Sequence, residues 1–184
     1  MKHIEYEERV MLTINDYLRV IDDVKNYGRP FAKFSILNIY LDNDNSFIFN
    51  HKMMLRIRKI NNKEELTLKV KEKDNSSLEI NETTTHHQTI DKYLEGNFDD
   101  YKEVSRLKTE RIEVNYGSYL LVIDKNEYHN IIDYDLEIES NSQEKSLKII
   151  KDYCLKYNLK FDENYKSKSH RAITKAREIK NGVR

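Results

Sequence analysis

Charged and apolar residues alternate along at least five stretches of the chain, and in a strand such alternation gathers each kind on one face. In Ile4-Glu5-Tyr6-Glu7-Glu8-Arg9, the face shared by Glu5, Glu7 and Arg9 carries two acids and a base. Leu55-Arg56-Ile57-Arg58 pairs a greasy side with a cationic one, and Leu66-Thr67-Leu68-Lys69-Val70-Lys71 does the same with Thr and Lys. Leu107, Thr109, Arg111 and Glu113 share a face. Late in the chain Asp133-Tyr134-Asp135-Leu136-Glu137-Ile138-Glu139 sets Asp135, Glu137 and Glu139 opposite Tyr134, Leu136 and Ile138. Strands are predicted over 4–9, 34–42, 53–60, 65–71, 78–84, 105–114, 118–124 and 134–139, with Asn61-Asn62 as a hairpin turn.

Helical periods are fewer. Thr13 caps a helix over 14–27, Asp16 completes an acidic capping box and Gly28 stops it. Its apolar stripe reads as Leu18, Ile21 and Val24 or Lys25. Shorter or later helices are predicted over 91–95, 143–157 and 172–180, the second of these with Leu147, Ile150, Cys154 and Tyr157 on one face. No internal repeat or low-complexity linker interrupts the chain, so residues 1–184 read as one domain. The pattern defines an α+β chain, mainly antiparallel β, with flanking helices. Packing the charged faces into a dry core would cost several kcal/mol for each charge. Small barrels are normally filled with apolar side chains. A tunnel-like barrel of about eight strands with a polar lumen is the architecture that keeps these faces wet.

Composition narrows the function. The 184 residues carry a net charge of zero with 35% charged residues, which leaves no whole-molecule field for nucleic acid or anionic membrane. Charge can act only through local segregation. No stretch approaches the roughly 18 apolar residues of a membrane span, and the N-terminus lacks the apolar core of a signal peptide. The single Cys154 cannot form an internal disulfide, so a cytoplasmic location is expected, with Cys154 packing a helix. His86 and His87 point to opposite faces and have no zinc-site spacing; they read as surface, and Lys73 as an exposed edge.

Many cations mixed with clustered carboxylates suit one ligand class, a polyphosphate carrying a divalent metal. Its hydrolysis requires cancelling charge on the non-bridging oxygens and the leaving group, which Arg, Lys and a metal ion provide. Clustered carboxylates raise one another's pKa, and a bound cation keeps them ionised. Hard oxygen ligands select Mg²⁺ or Mn²⁺ over zinc.

Glu5-Tyr6-Glu7-Glu8-Arg9 resembles the Glu-x-Glu-x-Lys signature that opens the CYTH domain superfamily, the triphosphate tunnel metalloenzymes. The similarity continues in order through Tyr40-Leu41-Asp42, Leu55-Arg56-Ile57-Arg58, Leu66-Thr67-Leu68-Lys69, Glu82-Thr83-Thr84, Thr109-x-Arg111, the acidic strand at 133–139 and Lys168-Ser169-His170-Arg171-Ala172. It is nearest to the short stand-alone bacterial branch. The resemblance implies a tunnel that binds a triphosphate with Mg²⁺ or Mn²⁺ and hydrolyses or transfers it. It implies Glu5, Glu7, Asp135, Glu137 and Glu139 as metal ligands, and Arg9, Arg56, Arg58, Lys69, Lys71, Arg111, Lys168 and Arg171 as phosphate holders. Glu5, Glu7, Arg9 and the tunnel acid Glu82 are the implied catalytic set.

Two positions depart from the pattern. Arg9 replaces the family Lys, and a planar, permanently charged guanidinium neutralises phosphate but cannot serve as a base. Asp135 stands where relatives more often have Glu. The expected function is metal-dependent hydrolysis of a triphosphate, inorganic tripolyphosphate first and a nucleoside or thiamine triphosphate next. A class IV type adenylate cyclase and a non-catalytic polyphosphate- or nucleotide-binding module are the rivals. The expected partner is a small triphosphate-containing molecule, with no nucleic acid and no membrane, and a homodimer stays open.

Overall fold

Alternation builds the wall of the molecule. The computed structural model describes residues 2–71, 76–162 and 164–182, with the side chains of 2–5 and 76 outside that description. Eight antiparallel strands, β1 (Lys2–Leu12), β2 (Ala32–Asp42), β3 (Met53–Ile60), β4 (Lys63–Lys71), β5 (Ser76–Glu82), β6 (Lys102–Asn115), β7 (Leu120–Tyr128) and β8 (Ile131–Ser140), form the sheet. They close in the order β1-β5-β4-β3-β2-β6-β7-β8. One strand makes the closure: residues 2–6 of β1 pair with β5, and residues 6–12 pair with β8. The Ile60↔Lys63 pair leaves Asn61-Asn62 as the connection expected between β3 and β4. Between β7 and β8, His129 and Asn130 both take left-handed φ values, 46° and 63°, as a tight primed turn requires.

Five helices flank the strands: α1 (Ile14–Asn26), α2 (Phe47–Asn50), α3 (Gln88–Asp91), α4 (Gln143–Tyr157) and α5 (Lys168–Lys180). Thr13 and Asp16 form the expected capping box on α1, a feature worth about 1 kcal/mol. The buried stripe of α1 is Tyr17, Val20, Ile21 and Val24, and Leu18, expected in it, is 51% exposed. α3 starts three residues before the predicted 91–95 segment. α5 starts four residues before 172, where the Ser167 side chain accepts from the His170 amide.

Outward-facing apolar residues meet these helices in two layers. Val10, Leu12, Val114, Leu121, Ile123, Leu136 and Ile138 pack beneath α1 and α4, where Ile150, Cys154 and Tyr157 are buried. Leu55, Leu66, Leu68 and Ile80 pack beneath Ile48 of α2 and Ile90 of α3. Leu68 is fully buried, so Leu68→Ala would cost about 2–5 kcal/mol. A third cluster lies inside the wall. Tyr40, Met54, Leu107 and Tyr128, which share the inward alternation of β2, β3, β6 and β7, pack against Ala172 and Ile173 of α5. α5 therefore stoppers one end of the barrel. No described helix is long and apolar enough to cross a membrane.

Candidate active site in the barrel lumen

Register decides which charges meet. Directly opposed residues of antiparallel strands point to the same face, so β1 and β8 bring together Arg9 with Glu137 and Glu7 with Glu139. β6, β7 and β8 likewise align Arg111 with Asp124 and Asp124 with Asp135. Arg111 donates Nε to Asp124 Oδ1 at 2.9 Å and Nη2 to Asp124 Oδ2 at 2.8 Å and to Glu137 Oε2 at 3.2 Å. Its Nη1 stands 3.8 Å from Glu139. Lys168, delivered by the first turn of α5, places Nζ 2.5 Å from Asp124 and 2.9 Å from Glu137. Arg171, one turn on, grips Asp133 through Nε at 2.9 Å and Nη2 at 2.8 Å, and its Nη2 also donates to Asp135 at 2.7 Å. Arg9 pairs with Glu7 at 2.5 Å.

Asp124, Asp135 and Glu137 are fully buried. Burial would raise the Glu137 carboxyl, but Lys168, Arg9 and Arg111 outweigh it and hold Glu137 well below the usual carboxylate range. Glu7 goes the other way, pushed up by burial and by the neighbouring Glu137 charge against the pull of Arg9. Asp135 is also pushed up by burial, against Arg171 and with Glu137 adding to the rise.

The opposite wall is arranged differently. Lys69 meets Glu79 across β4 and β5 at 2.9 Å. Burial opposes ionisation of Glu79, yet Lys69 and Arg56 bring its pKa down to about 2. Arg58 donates Nε to the amide oxygen of Asn38 at 3.3 Å. Burial, helped by Arg56 and Arg111, lowers the Arg58 pKa to about 10. Arg56 is 4% exposed, and its Nε has no hydrogen-bond partner among the described residues. Neither guanidinium forms an ion pair with a described carboxylate.

Glu7, Arg9, Arg56, Arg58, Lys69, Arg111, Asp135, Glu137 and Glu139 all lie on the inward alternation, and Lys168 and Arg171 reach the same carboxylates from α5. Glu5 pairs in register with Ser77, and its side chain lies outside the described set; Lys73 lies outside the described residues. Lys71 ends β4 exposed rather than enclosed. Glu82 is not a tunnel acid. It opposes Leu66 on the outer face, and its carboxylate accepts from the amides of Thr89 at 3.1 Å and Ile90 at 2.9 Å, tying β5 to the start of α3.

The acid that faces inward from β5 is Glu79. Its signal was the Leu78-Glu79-Ile80 alternation. Asp124 and Asp133 were missed for other reasons. Asp124 ends a run of Leu121-Val122-Ile123 that shows no alternation, because the inner face of β7 carries Val122 before it turns polar. Asp133 lies one residue before the segment read as strand. His86 is exposed, and His87 pairs with Asp91 at 2.8 Å, outside the lumen.

Among the described residues no three acidic, His or Cys side chains already form a metal cage. The wall nevertheless offers oxygen donors, several of them carboxylates, and Asp135 Oδ1 and Glu137 Oε1 are buried without a hydrogen bond. Hard, desolvated lone pairs of this kind fit Mg²⁺ or Mn²⁺.

A closed antiparallel barrel with a lumen lined by cations and acids is the architecture of a triphosphate tunnel. The CYTH domain profile matches residues 3–171, and the chain belongs to the CYTH domain family. Among solved structures, a protein of Bacillus halodurans described as a candidate adenylate cyclase aligns with TM-score 0.75 at 21% identity, over 92% of this chain and 97% of that one. A Hippeastrum protein described as a candidate adenylyl cyclase with dominant triphosphatase activity aligns with TM-score 0.69 at 16% identity, over 91% and 93%. A Pyrococcus horikoshii protein aligns with TM-score 0.58 at 21% identity, over 85% and 91%. No curated protein sequence matches the chain.

Proposed function

We propose that the protein hydrolyses a triphosphate in a metal-dependent reaction, with inorganic tripolyphosphate the preferred substrate. The observation that carries this reading is the buried Arg56 and the half-buried Arg58, which line the lumen without an ion pair to a described carboxylate. Glu79 and the cross-strand Glu65 offset these cations without pairing directly with either guanidinium, and a polyanion entering the lumen would supply the ion pairs they lack. Arg56, Arg58 and Lys69 would take the non-bridging oxygens from one side. Arg9, Arg111, Lys168 and Arg171 would take them from the other, each already held in place by the carboxylates it now pairs with. Placing charge where it develops in the transition state is the main contribution a protein makes to phosphoryl transfer. Glu7, Asp135, Glu137 and Glu139, together with Glu5, are the residues that would hold a divalent cation. When bound, that cation supplies charge neutralisation and an acidified water. Arg9 holds phosphate, since a guanidinium does not give up its proton in proteins.

Phosphate release from tripolyphosphate, ATP and thiamine triphosphate, with Mg²⁺, with Mn²⁺ and in chelator, tests the reading. Metal-dependent release with tripolyphosphate turned over fastest is expected. The adenylate cyclase description of the Bacillus neighbour favours a second reading, cyclisation of ATP. Cyclic AMP rather than ADP as the product from ATP would establish it. Tight binding by calorimetry with no release from any triphosphate would make the chain a binding module instead.

A further inference from the structure

Arg171 enters the lumen from α5, but the groups that aim it belong to the wall. Its Nε donates to Asp133 Oδ2, its Nη2 to Asp133 Oδ1 and Asp135 Oδ2, and its Nη1 to the Lys166 carbonyl at 2.7 Å. The Tyr165 ring covers one face, its centroid 4.8 Å from the guanidinium carbon. A guanidinium has five N–H groups, so one, on Nη1, is left for a ligand. Asn126, fully buried on β7, meets the same two acids from the wall. Its Nδ2 donates to Asp133 Oδ1 at 3.1 Å and to Asp135 Oδ2 at 2.8 Å, the two oxygens that also take Arg171 Nη2. One amide nitrogen and one guanidinium nitrogen thus bridge the same pair of carboxylates. The amide is itself fixed, because the buried Thr109 hydroxyl donates to Asn126 Oδ1 at 2.9 Å. Thr109, Asn126 and Asp133 oppose one another in register across β6, β7 and β8, so the row runs through three strands to the helix.

Resting on the proposed triphosphatase reading, we infer that Asn126, fixed by Thr109, is a positioning residue for Arg171. It acts through the carboxylates and not on the substrate. Asp133 and Asp135 stand two residues apart on one face of β8, and two ionised acids so placed repel each other. The amide draws one oxygen of each towards a single donor on the wall, which sets where the guanidinium can bind. It does this without charge, so nothing is subtracted from the cation that Arg171 presents. The guanidinium fork is planar and rigid. The direction of the one remaining Nη1 hydrogen is therefore decided by the two acid oxygens, and they in turn by Asn126.

The test is a double-mutant cycle read by calorimetric binding of tripolyphosphate, in chelator and with Mg²⁺, to the wild type, Asn126→Leu, Arg171→Gln and the double variant. Asn126→Leu keeps the volume and removes both donor hydrogens. It should weaken binding about tenfold in the wild-type background, the size of one hydrogen bond to a charged group. In Arg171→Gln, where no guanidinium is left to aim, it should change affinity less than about twofold. Should Asn126→Leu fail to fold, Thr109→Val takes its place in the cycle. That variant deletes one hydroxyl and keeps the shape, and should weaken binding about threefold only when Arg171 is present, with Thr109→Ser restoring the wild-type affinity. Equal weakening in both backgrounds would overturn the inference and make Asn126 a residue of the fold alone; unchanged affinity in both would overturn it as well. Binding by Arg171→Gln as tight as by the wild type would do the same and leave the triphosphate reading standing. Absence of wild-type binding under both conditions would overturn the proposed function and the inference with it.

Discussion

The two sides of the lumen handle buried charge in opposite ways. On β7 and β8, every buried acid described has a cation beside it: Asp124 and Glu137 share Lys168 and Arg111, and Asp133 and Asp135 share Arg171. On β3, Arg56 and Arg58 face the same lumen without an ion pair to a described carboxylate. Ion pairs buried like those on the first side add little net stability, yet losing one member strands the other. They act as a scaffold that fixes four cations and several carboxylate oxygens at set positions. On the second side acids stand across from the cations, Glu65 opposite Arg58 and Glu79 paired with Lys69, but the two guanidinium groups make no ion pair with a described carboxylate. The difference predicts that removing Glu137 and removing Arg58 will move stability in opposite directions.

The largest effect is expected at Glu137, where three cations converge. Glu137→Gln should lower turnover by about 10²–10³-fold and destabilise the free protein by about 3–5 kcal/mol, read by phosphate release and by denaturant titration. Full activity and stability in this variant would break the scaffold description. Arg58→Ala should do the reverse to the free protein. Binding of tripolyphosphate should weaken about 10- to 100-fold, while the melting temperature stays level or rises, because a desolvated charge has been removed.

The Lys69–Glu79 pair, on the second side, gives a pH test. Glu79 titrates lower in the folded protein, about 2 against an ordinary 4.5. The unfolded chain therefore binds the proton first as pH falls. The contribution of Glu79 is complete above about pH 4.5 and is lost as pH drops towards 2. It amounts to up to about 3 kcal/mol. In Glu79→Gln that part of the acid-unfolding slope should disappear; an unchanged slope between pH 4.5 and 2 would refute the pairing.

Arg9 belongs to the paired side and, in the proposed function, would also hold phosphate. Arg9→Lys should stay within about tenfold of wild type, and Arg9→Ala should raise KM and lower kcat together. A gain of about a hundredfold in Arg9→Lys would show that this position needs a base, which Arg cannot be. The smallest effect is expected outside the lumen. Glu82→Ala should cost about 1 kcal/mol as a lost helix cap and leave KM and kcat unchanged. Lost turnover without lost stability would return Glu82 to the chemistry.

Much of the site was legible because alternation is local. Arg56, Arg58 and Lys69 announce their face through the apolar residues between them, as do Glu137 and Glu139. Glu79 was legible on the same rule. Where both faces of a strand are enclosed the rule fails, and Asp124 after Leu121-Val122-Ile123 is the example. Glu82 fails for a different reason. It sits one residue after Asn81 and three after Glu79, out of phase with both and on the face that α3 covers, and a carboxylate that serves as a cap looks like one that serves a ligand. Leu18 shows the same limit in a helix, where one residue is a turn of about 100° and shifts the buried stripe.

The sequence by itself determined the strands, much of the inward set of charges and the family, since each rests on residue type at short spacing. The tertiary structure alone decided which charges neutralise one another. Lys168 and Arg171 come from a helix that starts more than 25 residues after β8 ends, and no local pattern encodes where that helix docks. Closure of β1 onto both β5 and β8 set Arg9 against Glu137. The docking of α5 then stoppered one end. Burial and pairing are properties of the assembled barrel, because the field at each charge comes from strands and a helix distant in sequence.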